Sequence, residues 1–150
     1  MGEKLATPIM PRCKRRFSGP LLDRIDLHIE VPAVEYRDVA SERPEENSIA
    51  IRERIDHARE RQQERFQNDA KVNCNARMAT RQLKQHCKLS EDSQDLVRVA
   101  MNELNLSARA YDRILKVSRT IADLDDKIDI SPEHVSEAIQ YRTFDRTLWV

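Results

Sequence analysis

Ser18–Pro32, SGPLLDRIDLHIEVP, is the stretch on which the fold turns. From Ile25 to Val31 it alternates strictly, with Ile25, Leu27, Ile29 and Val31 apolar and Asp26, His28 and Glu30 polar. That is the period of a half-buried strand, and Pro32 ends it because proline offers no ladder donor. Gly19-Pro20 sets a turn ahead of it, and Asp23-Arg24 stands at the entrance, where loop residues are carried on a rigid support. No second strand of comparable quality exists in the rest of the sequence. A lone strand satisfies neither its edges nor its apolar face, so its sheet is expected to lie outside this chain.

Everything downstream has helical periodicity. Ala33–Asn47 is polar, holds Pro44 and has no period, so it reads as a linker. A first helix is expected over Ser48–Phe66, capped by Asn47 or Ser48, with Ile51, Ile55, Ala58 and Phe66 on one face and Gln62 in the same stripe. Its arginines, Arg52, Arg54, Arg59, Arg61 and Arg65, alternate with glutamates as a solvated face. A second helix is expected over Ala76–His86 with Asn75 as cap and Met78 or Ala79, Leu83 and Cys87 inward. A third follows Ser90, from Glu91 to Leu104, buried through Leu96, Val97, Ala100, Met101 and Leu104. The fourth, Ala108–Leu124 after Ser107, buries Tyr111, Ile114, Leu115, Ser118, Ile121 and Ala122, and turns Arg109, Asp112, Arg113, Lys116 and Arg119 outward. Ser131-Pro132 starts a fifth, with serine as cap and proline in the first turn, burying Val135, Ala138, Ile139 and Arg142. Leu148 and Trp149 either pack back or hang free.

Composition narrows the function. The chain is 39% hydrophobic and 35% charged, which suits exposed helices around a modest core. Its 26 basic and 26 acidic residues cancel, so the whole-chain balance gives no support for indiscriminate nucleic-acid binding. Cys13, Cys74 and Cys87 form no CxxC pair and point to neither zinc nor a disulfide framework. His28, His57, His86 and His134 lack metal-ligand spacing. No run approaches the ~20 apolar residues of a membrane span, and the start lacks the apolar core of a signal peptide. A cytoplasmic protein is expected. The glycines are Gly2 and Gly19, so no GxxxxGK[ST] phosphate loop can form here.

SGPLLDRIDLHIEVP, followed by SIAIRER at 48–54, LSARAYDRILKVSRTIADLD at 106–125 and HVSEAIQYR at 134–142, resembles the magnesium-chelatase-like AAA+ ATPases of the ComM/YifB (competence protein) type. The likeness runs from Ser18 to about Arg146. It implies the carboxy-terminal end of such an ATPase: a mainly α, AAA+ helical lid bundle of four to five helices, with an extended arm from a missing α/β core. The implied division is a connecting segment at 1–17, the last strand and arginine-finger segment of the core at 18–32, a linker at 33–47, the lid at 48–146 and a tail at 147–150.

The same resemblance assigns roles to arginines. Arg24 matches the arginine finger, a guanidinium delivered in trans to the γ-phosphoryl charge of a neighbouring subunit's ATP; the local alternative is an ion pair with Asp23, Asp26 or Glu30. Arg109 matches the sensor-2 arginine of the lid, acting in cis or in trans, at a helix amino terminus that already suits an anion; the alternative is solvent exposure or a pair with Asp112. Arg113, one turn on, is its rival. The family implies ATP and Mg bound mainly by the missing core, a ring of six subunits, and DNA as the substrate of a helicase or branch-migration motor in natural transformation. The chelatase label reflects shared ancestry of the ATPase, not porphyrin chemistry. Alone, this chain is expected not to hydrolyse ATP. Two other classes stay open: a free-standing helical DNA-binding module using Arg109, Arg113, Lys116 and Arg119, and an oligomerisation domain.

Overall fold

The computed structural model describes residues 24–29, 31, 33 and 46–142. Asp23, Glu30, the connecting segment 1–17 with Cys13, most of the linker, and Leu148 and Trp149 lie outside the described residues. Among the described residues the chain is helical: α1 Ser48–Phe66, a 3-10 turn Asn75–Arg77, α2 Thr80–His86, α3 Glu91–Glu103, α4 Ala108–Leu124 and α5 Pro132–Gln140. There is no sheet among them; the one β pairing is a parallel bridge between Leu89 and Ile130, which ties the loop before α3 to the loop before α5. The mainly α architecture expected from the sequence is therefore the one observed.

Helix starts follow capping chemistry. A helix leaves its first amides without intrahelical partners, and a short polar side chain just before it can accept from one of them. Asn47 accepts from the Ala50 amide at 2.8 Å, Ser90 from Ser93 at 3.3 Å and Ser107 from Ala110 at 3.2 Å. At α5 the side chain of His134 reaches back, its Nδ1 accepting from the Ser131 amide at 3.0 Å, with Pro132 filling a position where no donor is needed. Two helix ends use a left-handed residue in a chain whose glycines lie elsewhere. Asn105 has φ 49° after α3, and Asp126 has φ 57° after α4. In each case the next amide folds back to an orphan carbonyl, Leu106 to Met101 at 3.1 Å and Lys127 to Ala122 at 2.8 Å. Those are Schellman closures, and Asn and Asp tolerate the conformation better than other non-glycine residues.

Helix α4 is the hub. It packs against α1, α2, α5 and the 3-10 turn, while α3 packs on α5. The core gathers Phe66, Val72, Met78, Leu83, Val97, Ile114, Leu115, Ala122, Ile130, Val135 and Ala138. Several expectations need correction. The second helix does not begin at Ala76: a 3-10 turn and an extended Met78–Ala79 precede α2. Asn75 caps nothing; it is buried and its side chain serves a polar network. Tyr111 and Leu96 are exposed rather than buried. On α1 only the second half packs: Ala58, Gln62 and Phe66 are buried, whereas Ile49, Ile51 and Ile55 face outward. Arg119 is not on an outer face but 3% exposed.

The arm also differs from a strand. Arg24 lies in a turn and Asp26 in a bend, and the described residues from 24 to 33 take part in no ladder. Ile25, Leu27, Ile29 and Val31 are exposed, rising to 83% at Val31. Alternation without a partner sheet leaves the apolar side uncovered, as it must.

Candidate functional site

The amino-terminal end of α4 meets the arm. Ser107 caps the helix, its first turn carries no acidic residue, and Arg109 stands there exposed. A cation at the positive end of a helix is electrostatically misplaced by about 0.3–1 kcal/mol unless an anion answers it. One turn on, Arg113 is answered: it forms an ion pair with Asp26 of the arm. Two further contacts fix the arm beside it. The Arg142 guanidinium donates to the Ile25 carbonyl, and the His28 amide donates to the Tyr141 carbonyl at 3.0 Å, closing the carboxyl end of α5. Arg142, just beyond the last turn of α5, is 1% exposed. Arg24 is exposed at the beginning of this docked segment. The structure thus brings the arm bearing Arg24 against the helix bearing Arg109 and Arg113. Of the local partners considered for Arg24, Asp26 is engaged by Arg113, and Asp23 and Glu30 lie outside the described residues.

A second cluster lies inside the bundle. Asp123 of α4, fully buried, receives Arg65 of α1 through two nitrogens at 2.7 and 2.5 Å, Asn75 Nδ2 at 2.7 Å and Arg119 at 3.2 Å. Asn75 accepts in turn from Arg65 at 2.9 Å, and its amide donates to Gln62 Oε1 at 3.0 Å. Arg119 also donates to the carbonyls of Ile128 and Lys127 at 2.6 and 2.7 Å, clasping the loop that leads to α5. Burial pushes the Arg119 pKa down, opposed by Asp123. His86 is likewise pushed down, by burial first and then by Arg65 and Arg119. Burial raises the Cys87 thiol to about 11, so it is a packing residue and not a nucleophile. A cleft of about 630 Å³ opens beside the cluster, lined by His57, Arg61, Arg65, His86, Lys88 and Arg119, with Glu60, Glu64 and Asp129 among them.

Periodicity missed this cluster because arginine and aspartate at helical spacing look like a solvated face. The one signal was Gln62 inside an apolar stripe: a polar side chain on a buried line calls for a partner.

The cations of α4 do not form a free basic stripe. Arg119 is buried, Arg113 is paired with Asp26, and Lys116 donates to the Ala76 carbonyl at 3.0 Å. Arg109 alone of the four is exposed. Among the described residues no three His, Cys, Asp or Glu side chains gather where they could hold a metal ion. A phosphate group suits the capped end of α4 with Arg109 beside it. No described helix is long and apolar enough to cross a membrane.

Residues 45–142 match the family described as magnesium chelatase, subunit ChlI C-terminal. The chain is 41% identical over 138 residues to the competence protein ComM of Haemophilus influenzae, and 40% identical over 141 residues to the uncharacterized protein YifB of Escherichia coli, covering 91% of this chain in both. An uncharacterized protein of Mycobacterium bovis is 29% identical over 133 residues, 86% of this chain. The chain spans about a quarter of the length of these curated relatives, 26% of each.

Proposed function

The chain belongs to the family of the magnesium chelatase subunit ChlI carboxy-terminal domain, and from that premise we propose that it is the helical lid of an AAA+ ATPase. The observation that carries the reading is the end of α4: an exposed arginine at a capped, acid-free helix amino terminus, beside a docked arm that begins with a second exposed arginine. In this reading residues 18–32 belong to the ATPase core, 33–47 link it to the lid, and 48–146 are the lid. Arg109 is the sensor-2 arginine, gripping phosphate at the lid's edge. Arg24 is the arginine finger, offered in trans to the nucleotide of the neighbouring subunit. Arg113, already held by Asp26, is the lesser candidate for the phosphate.

In this reading an AAA+ core, for which the greater length of the relatives leaves room, would supply the phosphate loop and the acidic groups for Mg. When bound there, ATP supplies the phosphoryl transfer. This chain's residues do something narrower: Arg109 binds and orients phosphate oxygens, and Arg24 adds positive charge where negative charge accumulates. The outward faces of Ile49, Ile51 and Ile55 on α1, with Ile25 and Leu27 of the arm, are apolar surface for that core to cover. A cytoplasmic ring, of six subunits, is the expected assembly. The name of the Haemophilus relative, competence protein, supports a role in natural transformation, where a DNA helicase or branch-migration motor fits a cyclic ATPase.

The test is ATP turnover by the full-length protein carrying Arg24→Ala or Arg109→Ala. Loss of the finger is expected to lower turnover by roughly 10³-fold or more with nucleotide still bound. Loss of Arg109 is expected to weaken nucleotide binding and turnover together. Turnover at the unsubstituted rate in both variants would overturn the assignment.

A further inference from the structure

Polar contacts tie the arm to the bundle at defined points. Its apolar side chains Ile25, Leu27 and Ile29 stay at least a third exposed. Polar contacts fall on three successive parts of one short segment: the Ile25 carbonyl taken by Arg142, the Asp26 carboxylate by Arg113, and the His28 amide by the Tyr141 carbonyl. Each answers an electrostatic need of the bundle. Asp26 brings negative charge to the acid-free end of α4. The Ile25 carbonyl accepts from a guanidinium that is otherwise sealed from water, and the His28 amide closes an orphan carbonyl at the end of α5.

We infer that Asp26, Arg113 and Arg142 form a latch that makes the arm and the amino-terminal end of α4 move as one body, coupling Arg24 to Arg109. The consequence rests on the lid reading; the latch itself does not. The first fixed residue, Ile25, follows Arg24 directly, so the Arg24 Cα stays within about 3.8 Å of a tethered one. Arg109 and Arg113 stand at i and i+4 on α4, one turn apart. A movement of α4 caused by phosphate at Arg109 is therefore carried through Arg113 and Asp26 to the root of Arg24. Where Arg24 serves the neighbouring subunit, the latch passes the state of one nucleotide site to the next. Asp26, Arg113 and Arg142 are positioning residues in this scheme and touch no nucleotide.

The latch is read by amide hydrogen exchange at His28 in the chain as it stands, without nucleotide. In the unsubstituted chain the His28 amide is expected to be protected. Because the Asp26–Arg113 pair is partly exposed, Asp26→Asn should reduce that protection by about two- to fivefold, while amides inside α4 keep theirs and show that the bundle is intact. The reversed pair, Asp26→Arg with Arg113→Asp, should restore it, and Arg109→Ala should leave it unchanged. Exchange of His28 at the rate of an unstructured peptide, or protection indifferent to Asp26→Asn, would overturn the latch and leave the lid reading standing. In the full-length ATPase, Asp26→Asn should lower kcat with KM for ATP unchanged. An unaltered kcat would overturn the coupling even where the latch is seen.

Discussion

Replacing Asp123 by alanine tests whether the bundle is organised around a buried charge. The carboxylate takes Arg65 at 2.5 and 2.7 Å, Asn75 at 2.7 Å and Arg119 at 3.2 Å, and its side chain is 0% exposed. Its loss leaves two guanidiniums, and they are unequal. Arg65 keeps 15% of its side chain exposed and borders the cleft, so it can turn towards water. The Arg119 side chain is 4% exposed and retains only the carbonyls of Ile128 and Lys127 as neutral acceptors. Removing one partner of a buried ion pair costs about 3–5 kcal/mol, and partial rehydration of Arg65 places this case near 3–4. Set against a total of about 5–15 kcal/mol for a domain, that is a large share. With a urea slope of about 1–3 kcal/mol/M, the unfolding midpoint should fall by about 1–4 M. Far-UV circular dichroism against urea reads it directly. A loss below about 1 kcal/mol, the size of an exposed pair, would refute the claim that this charge is sealed.

The Schellman closure after α3 is open to the same kind of test: Asn105→Ala should cost about 1 kcal/mol because alanine meets the full Cβ penalty at positive φ, while Asn105→Gly should be close to neutral, both read from urea midpoints. For His86, burial beside Arg65 and Arg119 lowers the folded pKa below 6.5, so the unfolded chain takes the proton first as pH falls. Stability should therefore be full above about pH 6.5 and decline as pH drops towards the folded value, and His86→Phe should lose less stability than the unsubstituted chain between pH 7.5 and 5.5.

How much of this was legible in the sequence depends on how far the deciding partner lies along the chain. Ser90, Ser107 and Ser131 mark helix starts because a cap acts on amides two or three residues away. The first-helix range and the α4 stripe at Ile114, Leu115, Ser118 and Ala122 follow from one period. Arg119 and Arg65 defeat the same rule. Arg65 meets Asp123 across the bundle, while Arg119 meets it one turn on in α4 and also clasps carbonyls of a later loop, and an i,i+4 Arg–Asp pair looks the same in a local window whether it is sealed or in water. Asn75 fails for the converse reason: an asparagine before a helical pattern is a plausible cap, yet its amide and side chain are claimed by Gln62, Arg65 and Asp123. The outward Ile51 and Ile55 follow the stripe correctly but find nothing to pack on among the described residues.

The choice between Arg109 and Arg113 shows what the structure adds to a motif. Both stand near the amino end of α4 and present the same chemistry, with Arg109 the sequence expectation and Arg113 its rival. What separates their surroundings is Asp26, which lies far off in sequence and belongs to a segment that reads as a strand. An arginine held by a carboxylate must give up that pair before it can take a phosphate, whereas an exposed arginine at a helix end only sheds water. On the proposed reading Arg109 is therefore the cheaper anion contact, and Arg113, paired with Asp26, is the anchor that would keep the arm, and Arg24 with it, in reach of the same helix.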